Sequence, residues 1–283
     1  MIFLTGATGG LGTVLHRHLL GLGEVVSLSR NPSGTGWSCD LCLEDPIAEI
    51  VKELTPHMII HTAALADVDR CESHPVEAWR QNVTTTKNLC SAAAQYRQNI
   101  PVVFISTDQL YDAPGPSSED QVSSKNVYAE TKLAAEDIVR GLEQYLVLRV
   151  NFFGQKNKSG KSLLDWVEAQ SSQEKPTILF SDVLFNPLHV DHLCEVITLL
   201  LEKGARGTFN VGSSCGGMSK SELIRRVCKI KGWPTHTFVD GSVDDVSLKA
   251  YRPRDMRMKT EKLEKFLGKT LPTVDNGIDM MTG

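Results

Sequence analysis

The sequence predicts an α/β fold whose centre is a doubly wound parallel sheet, followed by a small C-terminal lobe. Through the first 150 residues, short uninterrupted apolar segments alternate with longer amphipathic segments. Strands that are buried on both faces have such continuous apolar sequences, and the intervening helices connect parallel neighbours. Because these crossovers are almost always right-handed, the helices are expected to cover both faces of the sheet.

Each element of this core has its own signal in the sequence. The predicted strands are the apolar runs 2–5, 25–29, 58–62, 102–106 and 146–150. The predicted helices are the segments 12–20, 46–54, 76–96 and 128–142, in which apolar residues recur at helical spacing. Strand and helix therefore alternate from the first residues to residue 150.

The regular alternation of predicted strands and helices ends after residue 150. Residues 154–160 are polar and flanked by glycine, which is typical of a loop. The remaining predicted elements are helices at 163–169, 192–201, 220–229 and 260–266 and strands at 177–180 and 208–211. We therefore predict a core domain, residues 1–150 plus 187–212, and a smaller lobe, residues 151–186 plus 213–283.

Composition excludes several classes of protein. Hydrophobic residues make up 41% of the chain and charged residues 23%, and the net charge of −4 is spread along the sequence. Without a basic stripe, neither nucleic acid nor an anionic membrane is expected as a partner. No apolar run approaches the roughly 20 residues of a membrane span, and the N-terminus does not read as a secretory signal.

The cysteines and histidines predict no metal site. The 7 cysteines are odd in number and scattered, which favours a reducing cytoplasm over a disulfide framework. Cys39 and Cys42 form one isolated pair with no second pair at zinc spacing. The 8 histidines form no cluster, so we interpret them as structural or solvated.

A glycine-rich turn follows the first predicted strand. Gly6, Gly9 and Gly12 are spaced three residues apart, and a helix begins directly after them. Glycine allows the tight turn and lets the backbone approach a pyrophosphate, while the helix N-terminus supplies N–H groups to the anion. A βα turn without a ligand is the alternative. The pattern favours a Rossmann dinucleotide site, whose expected contacts here are Gly6, Thr8, Gly9, Gly10, Leu11 and Gly12.

The end of the second predicted strand indicates which dinucleotide binds. Sites that prefer NAD place an acidic residue there, to accept hydrogen bonds from the ribose hydroxyls. This chain has Ser29, Arg30 and Asn31, which pair well with a 2′-phosphate. We therefore predict NADP, with NAD as the alternative if Arg30 is only a solvated side chain. Asp40 and Leu41 are expected near the adenine.

A tyrosine and a lysine lie four residues apart on the helix predicted at 128–142. Tyr128 and Lys132 therefore share one face of that helix. A nearby cation favours the phenolate form, so the phenol becomes a usable proton donor to a carbonyl oxygen. The pair follows Thr107, a hydroxyl at the end of the predicted strand 102–106, where ligands of open α/β sheets bind. The alternative is an ordinary surface helix.

The order of these motifs resembles that of the extended short-chain dehydrogenase/reductases. The motifs are the turn 6–12, the segment 61–64, the segment 106–108, Tyr128 with Lys132, and the segment 148–149. Within that superfamily the chain is similar to the dTDP-4-dehydrorhamnose reductases in segments 106–111, 126–136 and 252–255. The similarity spans nearly the whole chain and is densest through residue 150.

This resemblance implies a catalytic triad. Thr107 would hydrogen-bond the substrate carbonyl, Tyr128 would be the general acid, and Lys132 would depress the tyrosine pKa and hold the nicotinamide ribose. Ala63 and Ala64 would form the wall beneath the cofactor. Ser106, Tyr128 and Lys132 would contact the cofactor as well.

The resemblance also implies a substrate class and its limits. Sugar-nucleotide 4,6-dehydratases carry Asp-Glu after the threonine, whereas this chain has Asp108 and Gln109. Because an amide cannot transfer a proton near neutral pH, Gln109 favours simple ketone reduction over dehydration. The lobe departs from the family at 150–154 and 182–188, so the sugar pocket is expected to differ. Its candidate substrate contacts are Thr107, Asp108, Asn151, Phe152, Trp166, Asn186 and Arg252.

Three functions remain open from the sequence. The leading one is an NADPH-dependent reductase of a nucleotide-linked 4-keto sugar. The second is an epimerase or another reductase of nucleotide sugars. The third is a non-catalytic binding subunit, because the methionine adenosyltransferase regulatory subunit also resembles this family. Helices 76–96 and 128–142 would suit a homodimer, as in related enzymes, but a monomer is equally compatible.

Overall fold

The computed structural model describes residues 1–30, 36–95, 100–154, 162–214 and 216–282. Its strands are β1 (Ile2–Thr5), β2 (Val25–Ser29), β3 (Trp37–Ser38), β4 (Met58–His61), β5 (Val102–Thr107), β6 (Tyr145–Val150), β7 (Phe152–Phe153), β8 (Thr177–Phe180), β9 (Leu184–Phe185), β10 (Leu188–His189), β11 (Gly207–Val211), β12 (Met218–Ser219) and β13 (Phe238–Gly241). Its α-helices are α1 (Gly10–Leu19), α2 (Glu44–Leu54), α3 (Val68–Ser73), α4 (Pro75–Trp79), α5 (Thr85–Gln95), α6 (Val127–Arg140), α7 (Leu163–Ser171), α8 (Val190–Glu202), α9 (Lys220–Lys231), α10 (Glu261–Leu267) and α11 (Val274–Asp279). A π-helical segment, Arg80–Thr84, joins α4 to α5, and 3₁₀ turns lie at Asp108–Leu110, Val243–Asp245 and Met280–Thr282.

The main sheet has seven strands in the order β11-β6-β5-β4-β1-β2-β3. The ladders that join β5, β4, β1, β2 and β3 are parallel. From β1 the chain runs outward to β2 and β3, and β4 then returns to the other side of β1, so the order reverses between β1 and β4. Ligands of open α/β sheets bind at such a reversal, beyond the carboxyl ends of the strands. The predicted doubly wound parallel sheet is confirmed.

The sheet core explains why the apolar segments form strands. Phe3 of β1, Ile59 of β4 and Phe104 of β5 are buried in one apolar cluster. Leu89 of α5 and Val139 of α6 belong to the same cluster, because each helix turns its apolar stripe toward the strands. Burial of each such side chain contributes about 1.5–3 kcal/mol, which holds the central strands in register.

Several elements differ from those predicted. The segment expected as one helix at 76–96 is α4, the π-helical segment and α5, and its last predicted residue lies outside the described residues. Helices α3 and α11 were not predicted, since both are only six residues long. Among the described residues, no helix has the length and apolar character needed to cross a membrane.

The chain divides into two compact units. The first unit is 1–107, 126–149 and 194–209, and the second is 108–125, 150–193 and 210–283. The sequence predicts that 108–125, 187–193 and 210–212 belong to the core domain. In the structure these segments belong to the second unit. These short segments contain mostly turns and strand ends, which give little periodic signal.

The second unit has its own apolar core. Phe153, Val183, Phe185 and Leu223 are buried there together with Ile278. Three two-stranded sheets support this core: β7 and β10 are parallel, β8 and β13 are parallel, and β9 and β12 are antiparallel. Short strands of this kind explain why periodicity predicted only a few elements here.

Candidate active site

The glycine turn at the end of β1 is tight enough to require glycine. Gly6 has a φ of +70°, and a Cβ there would lie 2.6 Å from Thr62 Oγ1 and 2.7 Å from the Ala63 nitrogen. A Cβ on Gly12 would lie 2.1 Å from the Gly6 carbonyl oxygen. The Gly9 N–H donates to that same oxygen at 2.9 Å, which closes the turn. The turn therefore brings the backbone of α1 close to the ends of β1 and β4.

Helix α1 begins in a way that suits an anion. Gly9 is its N-cap, so no side chain caps the first N–H groups. Residues 10–13 include neither aspartate nor glutamate. The Thr13 hydroxyl instead donates backward, to the carbonyls of Gly9 at 2.8 Å and Ala7 at 3.1 Å, and thereby holds the turn. The N–H groups and the positive end of the helix dipole remain directed toward a phosphate.

A cleft of about 320 Å³ opens beside this turn, within the first unit. It brings together the predicted cofactor contacts Gly6, Thr8, Gly9, Ser29, Arg30, Asp40, Leu41, Ala63 and Ala64. Its lining also includes Leu28, Cys39, Thr62, Gln81 and Thr85, which sequence reasoning missed. Of the other predicted contacts, Gly10, Leu11 and Gly12 form the adjoining start of α1, and Asn31 lies outside the described residues.

The wall near the end of β2 contains one acidic and one basic residue. Arg30 is exposed directly after β2, and its carbonyl accepts a hydrogen bond from the Ser38 hydroxyl at 3.2 Å. Asp40 lies after β3, and its Oδ1 accepts a hydrogen bond from the Cys42 N–H at 3.0 Å. Burial and the Asp40 charge raise the pKa of the Cys39 thiol to about 11, so this thiol is unreactive.

Helix α6 carries the tyrosine and the lysine. The Asn126 side chain caps it by accepting from the Ala129 N–H at 2.8 Å. The Glu72 carboxylate accepts from the Val127 N–H at 3.1 Å, which places a negative charge at the positive end of the helix. Tyr128 is 8% exposed and packs with Cys71 of α3 in a small apolar cluster. Two neighbouring segments therefore fix the first turn, which holds Tyr128.

Lys132 is buried against the end of β5. Its Nζ donates to the Ile105 carbonyl at 2.7 Å and lies 3.9 Å from the centre of the Phe104 ring. Burial lowers the pKa of Lys132 to about 7, against the opposing effect of the Glu136 carboxylate. Burial therefore disfavours the charged form of Lys132, which is the form that the predicted role beside Tyr128 requires.

Two hydroxyls lie at the end of β5. Ser106 and Thr107 are both buried. The Ser106 Oγ has no hydrogen-bond partner within the described part of the chain. Leaving a buried hydroxyl unpaired costs about 1–3 kcal/mol. Such a cost is common where a ligand supplies the missing partner, so the Ser106 hydroxyl is a candidate contact for a bound molecule.

A buried histidine at the end of β4 connects β1 with α5. His61 Nδ1 lies 2.7 Å from the Thr5 hydroxyl, and Nε2 lies 3.1 Å from the Thr86 hydroxyl. The Thr86 hydroxyl donates to the Asn82 carbonyl at 2.6 Å, so it accepts the Nε2 proton, and Nδ1 accepts from Thr5. Burial and the Lys132 charge lower the pKa of His61 to about 3. His61 is therefore a neutral structural link.

The π-helical segment contacts both the loop after β4 and helix α6. Asn82 holds the loop after β4, because its Oδ1 accepts from the Leu65 N–H at 2.7 Å and its Nδ2 donates to the Leu65 carbonyl at 3.1 Å. The same Nδ2 donates to the Thr131 hydroxyl at 2.9 Å, which in turn donates to the Tyr128 carbonyl. The preceding residue, Gln81, lines the cleft. Such π-helical turns occur frequently at functional sites.

The second unit brings three of the predicted substrate contacts into one neighbourhood. Asn151 donates its amide to the Asp108 carboxylate. Burial lowers the pKa of Lys220 at the start of α9, while the Asp108 charge raises it and the Arg252 charge lowers it. Asp108 and Arg252 therefore both act on Lys220, which sequence reasoning missed because it reads as a surface residue of a helix.

Asn186, another predicted substrate contact, uses its side-chain amide for hydrogen bonds within the protein. Asn186 is 4% exposed, and its Nδ2 donates to the carbonyls of Ser213 and Met258, both at 3.0 Å. Its Oδ1 accepts from the Met258 N–H at 2.9 Å. Asn186 thus joins two backbone segments, and its amide is not open to a sugar as the sequence analysis expected. Trp166 is exposed on α7, and Phe152 is half-buried in β7.

Two further polar residues of the second unit have internal partners. Arg254, which the sequence placed beside Arg252 in a loop, pairs with Asp182 and Asp244. Gln109 is buried, and its amide donates to the Met256 sulfur at 2.9 Å. In the described portion of the chain, no group of three or more histidine, cysteine, aspartate or glutamate side chains is placed to hold a metal ion.

A glycine turn at the reversal of strand order, followed by a Tyr-x-x-x-Lys helix after β5, defines the extended short-chain dehydrogenase/reductases, a class of NAD(P)-dependent oxidoreductases. Within this class, the family described as RmlD substrate binding domain matches residues 1–282. The chain therefore belongs to that family.

Individual relatives agree with this assignment. A probable low-salt glycan biosynthesis reductase of Haloferax volcanii is 28% identical, over 98% of this chain and 95% of its own length. A dTDP-4-dehydrorhamnose reductase of Escherichia coli is 25% identical, over 99% of this chain and 96% of its own. The methionine adenosyltransferase 2 subunit beta of Pongo abelii is 27% identical, over 96% of this chain and 84% of its own.

A solved structure shares the fold. The dTDP-4-dehydrorhamnose reductase of Bacillus anthracis, in complex with NADP, superimposes with a TM-score of 0.86. The match covers 99% of this chain and 97% of that one, at 21% sequence identity. This likeness concerns the course of the backbone over both units.

Proposed function

We propose that this protein is an NADPH-dependent reductase of a nucleotide-linked 4-keto sugar. The observation that carries the proposal is the first unit, which contains a glycine turn, a cleft beside that turn and a buried Lys132 on the Tyr128 helix. A turn alone or a tyrosine–lysine pair alone is common in proteins. Their combination at the reversal of a parallel sheet matches the requirements of hydride transfer to a ketone.

The residues of the cleft fit a nicotinamide dinucleotide. Gly6 and Gly12 keep the turn tight, because a Cβ at either position would collide with neighbouring protein atoms, and a tight turn lets a pyrophosphate approach the start of α1. The first N–H groups of α1 supply donors to it, and the unpaired Ser106 hydroxyl at the end of β5 is a further candidate donor to the cofactor. Arg30 at the end of β2 favours the 2′-phosphate of NADP over the free hydroxyl of NAD. The NADP complex of the Bacillus anthracis relative agrees with this choice.

A nicotinamide dinucleotide bound in this cleft would supply the hydride that reduces the carbonyl carbon of the substrate. Tyr128 gives its phenolic proton to the carbonyl oxygen, so the ketone becomes an alcohol and the tyrosine is left as a phenolate. The charged form of Lys132 stabilises that phenolate, and solvent then returns the proton. Thr107 donates a hydrogen bond to the same oxygen and orients it.

The second unit favours an anionic, nucleotide-linked substrate. Lys220 lies close enough to both Asp108 and Arg252 for their charges to act on it, and a diphosphate is a natural ligand for a lysine–arginine pair. Relatives named for dTDP-4-dehydrorhamnose reduction and for glycan biosynthesis agree with a sugar nucleotide. Gln109 stands where dehydratases carry a glutamate, and it has no proton to exchange near neutral pH. Reduction is therefore the preferred reaction.

A direct assay tests this proposal. The full-length protein is incubated with NADPH and a panel of nucleotide 4-keto sugars, and both the nicotinamide absorbance and the mass of the sugar product are followed. We expect NADPH loss that requires the ketone, and a product two mass units heavier than the substrate. A changed sugar without net NADPH loss would instead establish an epimerase. Unchanged sugars and unchanged NADPH across the panel would refute the reductase.

A binding subunit is the second candidate. It is favoured by the identity of 27% with the beta subunit of methionine adenosyltransferase 2, which is close to the identity with the reductases. Affinity purification from the native cell discriminates the two. A stoichiometric large partner together with inactivity on every keto sugar would favour the subunit, whereas turnover by the isolated chain favours the enzyme.

A further inference from the structure

A fully buried carboxylate lies one helical turn beyond Lys132. Glu136 is 0% exposed on α6. Arg149 of β6 is also fully buried, and its Nε and Nη2 donate to the two carboxylate oxygens at 2.9 Å and 2.7 Å. Arg140, a further turn along α6 and partly exposed, donates to the same carboxylate. These three residues form a compact charged triad, with Glu136 and Arg140 on α6 and Arg149 on β6.

Glu136 and Arg149 lie in the segments 126–136 and 148–149, which resemble the family, and the proposed reaction assigns no role to them. A buried carboxylate is retained in a protein when it is paired and fully hydrogen-bonded. Arg149 already satisfies both oxygens of Glu136 with a bidentate pair. The triad also includes the partly exposed Arg140, a second cation that contacts the same carboxylate.

The surroundings of Lys132 contain few charged groups. On its own helix α6 it faces Tyr128 and Glu136. The strand β5 contributes the neutral Ile105 carbonyl and Phe104 ring, and β4 contributes the neutral His61. Burial opposes the charged form of Lys132, and the Glu136 carboxylate is the group that favours it. Positions i and i+4 on a helix are neighbours, so this attraction is direct.

We propose that Glu136 is a positioning residue that keeps Lys132 in its charged form, and that Arg140 and Arg149 determine how strongly it does so. The arginines each cancel part of the Glu136 charge that Lys132 experiences. The inference rests on the proposed function, because the charge on Lys132 matters for turnover only if Tyr128 works beside it. The inference goes beyond the proposed function because it assigns an effect on catalysis to a triad that touches neither cofactor nor substrate.

The triad gives variants with opposite expected effects. Glu136→Gln removes the carboxylate, so the proton affinity of Lys132 falls. Arg140→Gln removes a competing cation at a partly exposed position and leaves the pair with Arg149 intact, so the proton affinity of Lys132 rises. Glu130→Gln is the matched control, because it removes an exposed carboxylate from the same helix α6 at a position remote from Arg140.

The experiment combines a titration with a rate profile on the full-length protein. The Lys132 signal is followed with pH by NMR of ¹³C-labelled lysine and assigned with Lys132→Arg, and kcat/KM for ketone reduction is measured over the same range. Relative to wild type, Glu136→Gln should lower the midpoint of both curves by about one pH unit or more. Arg140→Gln should raise both midpoints, and Glu130→Gln should leave them nearly unchanged.

Two results would overturn the inference. One is a Lys132 midpoint that does not move in Glu136→Gln. The other is an Arg140→Gln midpoint that stays fixed or moves downward. If Glu136→Gln does not fold, the Arg140→Gln titration is sufficient by itself to test the inference. The NMR titration requires no substrate. Shifted titrations without any ketone turnover would therefore remove the proposed function and leave the control of Lys132 by Glu136 intact.

Discussion

The two units of the chain differ in how their candidate sites are made. In the first unit the backbone itself forms much of the cleft, through the glycine turn, the start of α1 and the ends of β1 and β4. In the second unit the candidate contacts are side chains such as Asp108, Asn151 and Arg252, which depend on several short segments. Backbone sites follow from glycines and strand ends, whereas side-chain sites depend on packing that sequence patterns do not specify.

Replacing Tyr128 by phenylalanine tests the first unit most strongly. We expect kcat to fall about 10²–10⁴-fold, because a positioned acid contributes that much, while the Kd for NADPH stays within about twofold. Stopped-flow turnover and fluorescence titration measure the two quantities. A turnover near that of wild type would remove Tyr128 from the chemistry and leave the first unit as a binding module.

Replacing Arg30 by glutamine tests the cofactor choice. We expect the Kd for NADPH to rise about 10- to 100-fold, since a charge-assisted contact with the 2′-phosphate is lost, while the Kd for NADH changes little. Fluorescence titration with both dinucleotides measures this. Arg17→Gln is the control, because Arg17 is exposed in the last turn of α1 and does not line the cleft. Equal effects on both dinucleotides would contradict a phosphate contact.

A pair of variants tests the second unit. Arg252→Met should raise KM for the nucleotide sugar about tenfold with little change in kcat, as expected for loss of one ion pair with a diphosphate. Asn186→Ala should leave KM unchanged but lower the free energy of unfolding by about 1–3 kcal/mol, because backbone groups of Met258 lose their partner. Steady-state kinetics and urea unfolding separate the two effects. A lower free energy of unfolding for Arg252→Met together with a higher KM for Asn186→Ala would instead make Arg252 structural and Asn186 the substrate contact.

The pH dependence of stability tests the burial of Lys132 without any substrate. The pKa of Lys132 is about 7 in the folded chain and near its ordinary value of 10.5 when unfolded. Between these values the unfolded chain binds more protons, so raising the pH stabilises the fold. The melting temperature of wild type should therefore rise relative to that of Lys132→Met between pH 7 and pH 10. Parallel curves for the two proteins would show that burial leaves the lysine unperturbed.

Much of the first unit was predictable from sequence because its signals are local. The glycine turn, the alanines after β4 and the Tyr128–Lys132 pair each follow from residue type and spacing. Gln81 and Thr85 were missed because the segment around them reads as a regular helix. Cys39 was interpreted as an ordinary thiol, and nothing in its neighbours predicts that it lines a cleft.

The remaining differences arise from packing. The charge state of Lys132 depends on its burial beneath β5, and spacing along α6 cannot reveal that. Asn186 reads as a polar residue in a pocket-forming loop, yet Gly212 approaches it so closely that a Cβ there would lie 2.7 Å from its amide nitrogen. Its hydrogen-bonding groups are consequently used by the backbone around it.

The π-helical segment at Arg80–Thr84 makes the length of this helical stretch critical. Each residue of a helix advances it by about 100°, so deleting one residue here would turn α5 by roughly that angle relative to α4. Thr86 would then move away from His61, and Gln81 and Asn82 would no longer face different neighbours. Insertions and deletions are therefore harmful between α4 and α5, even though the sequence there resembles a tolerant surface helix.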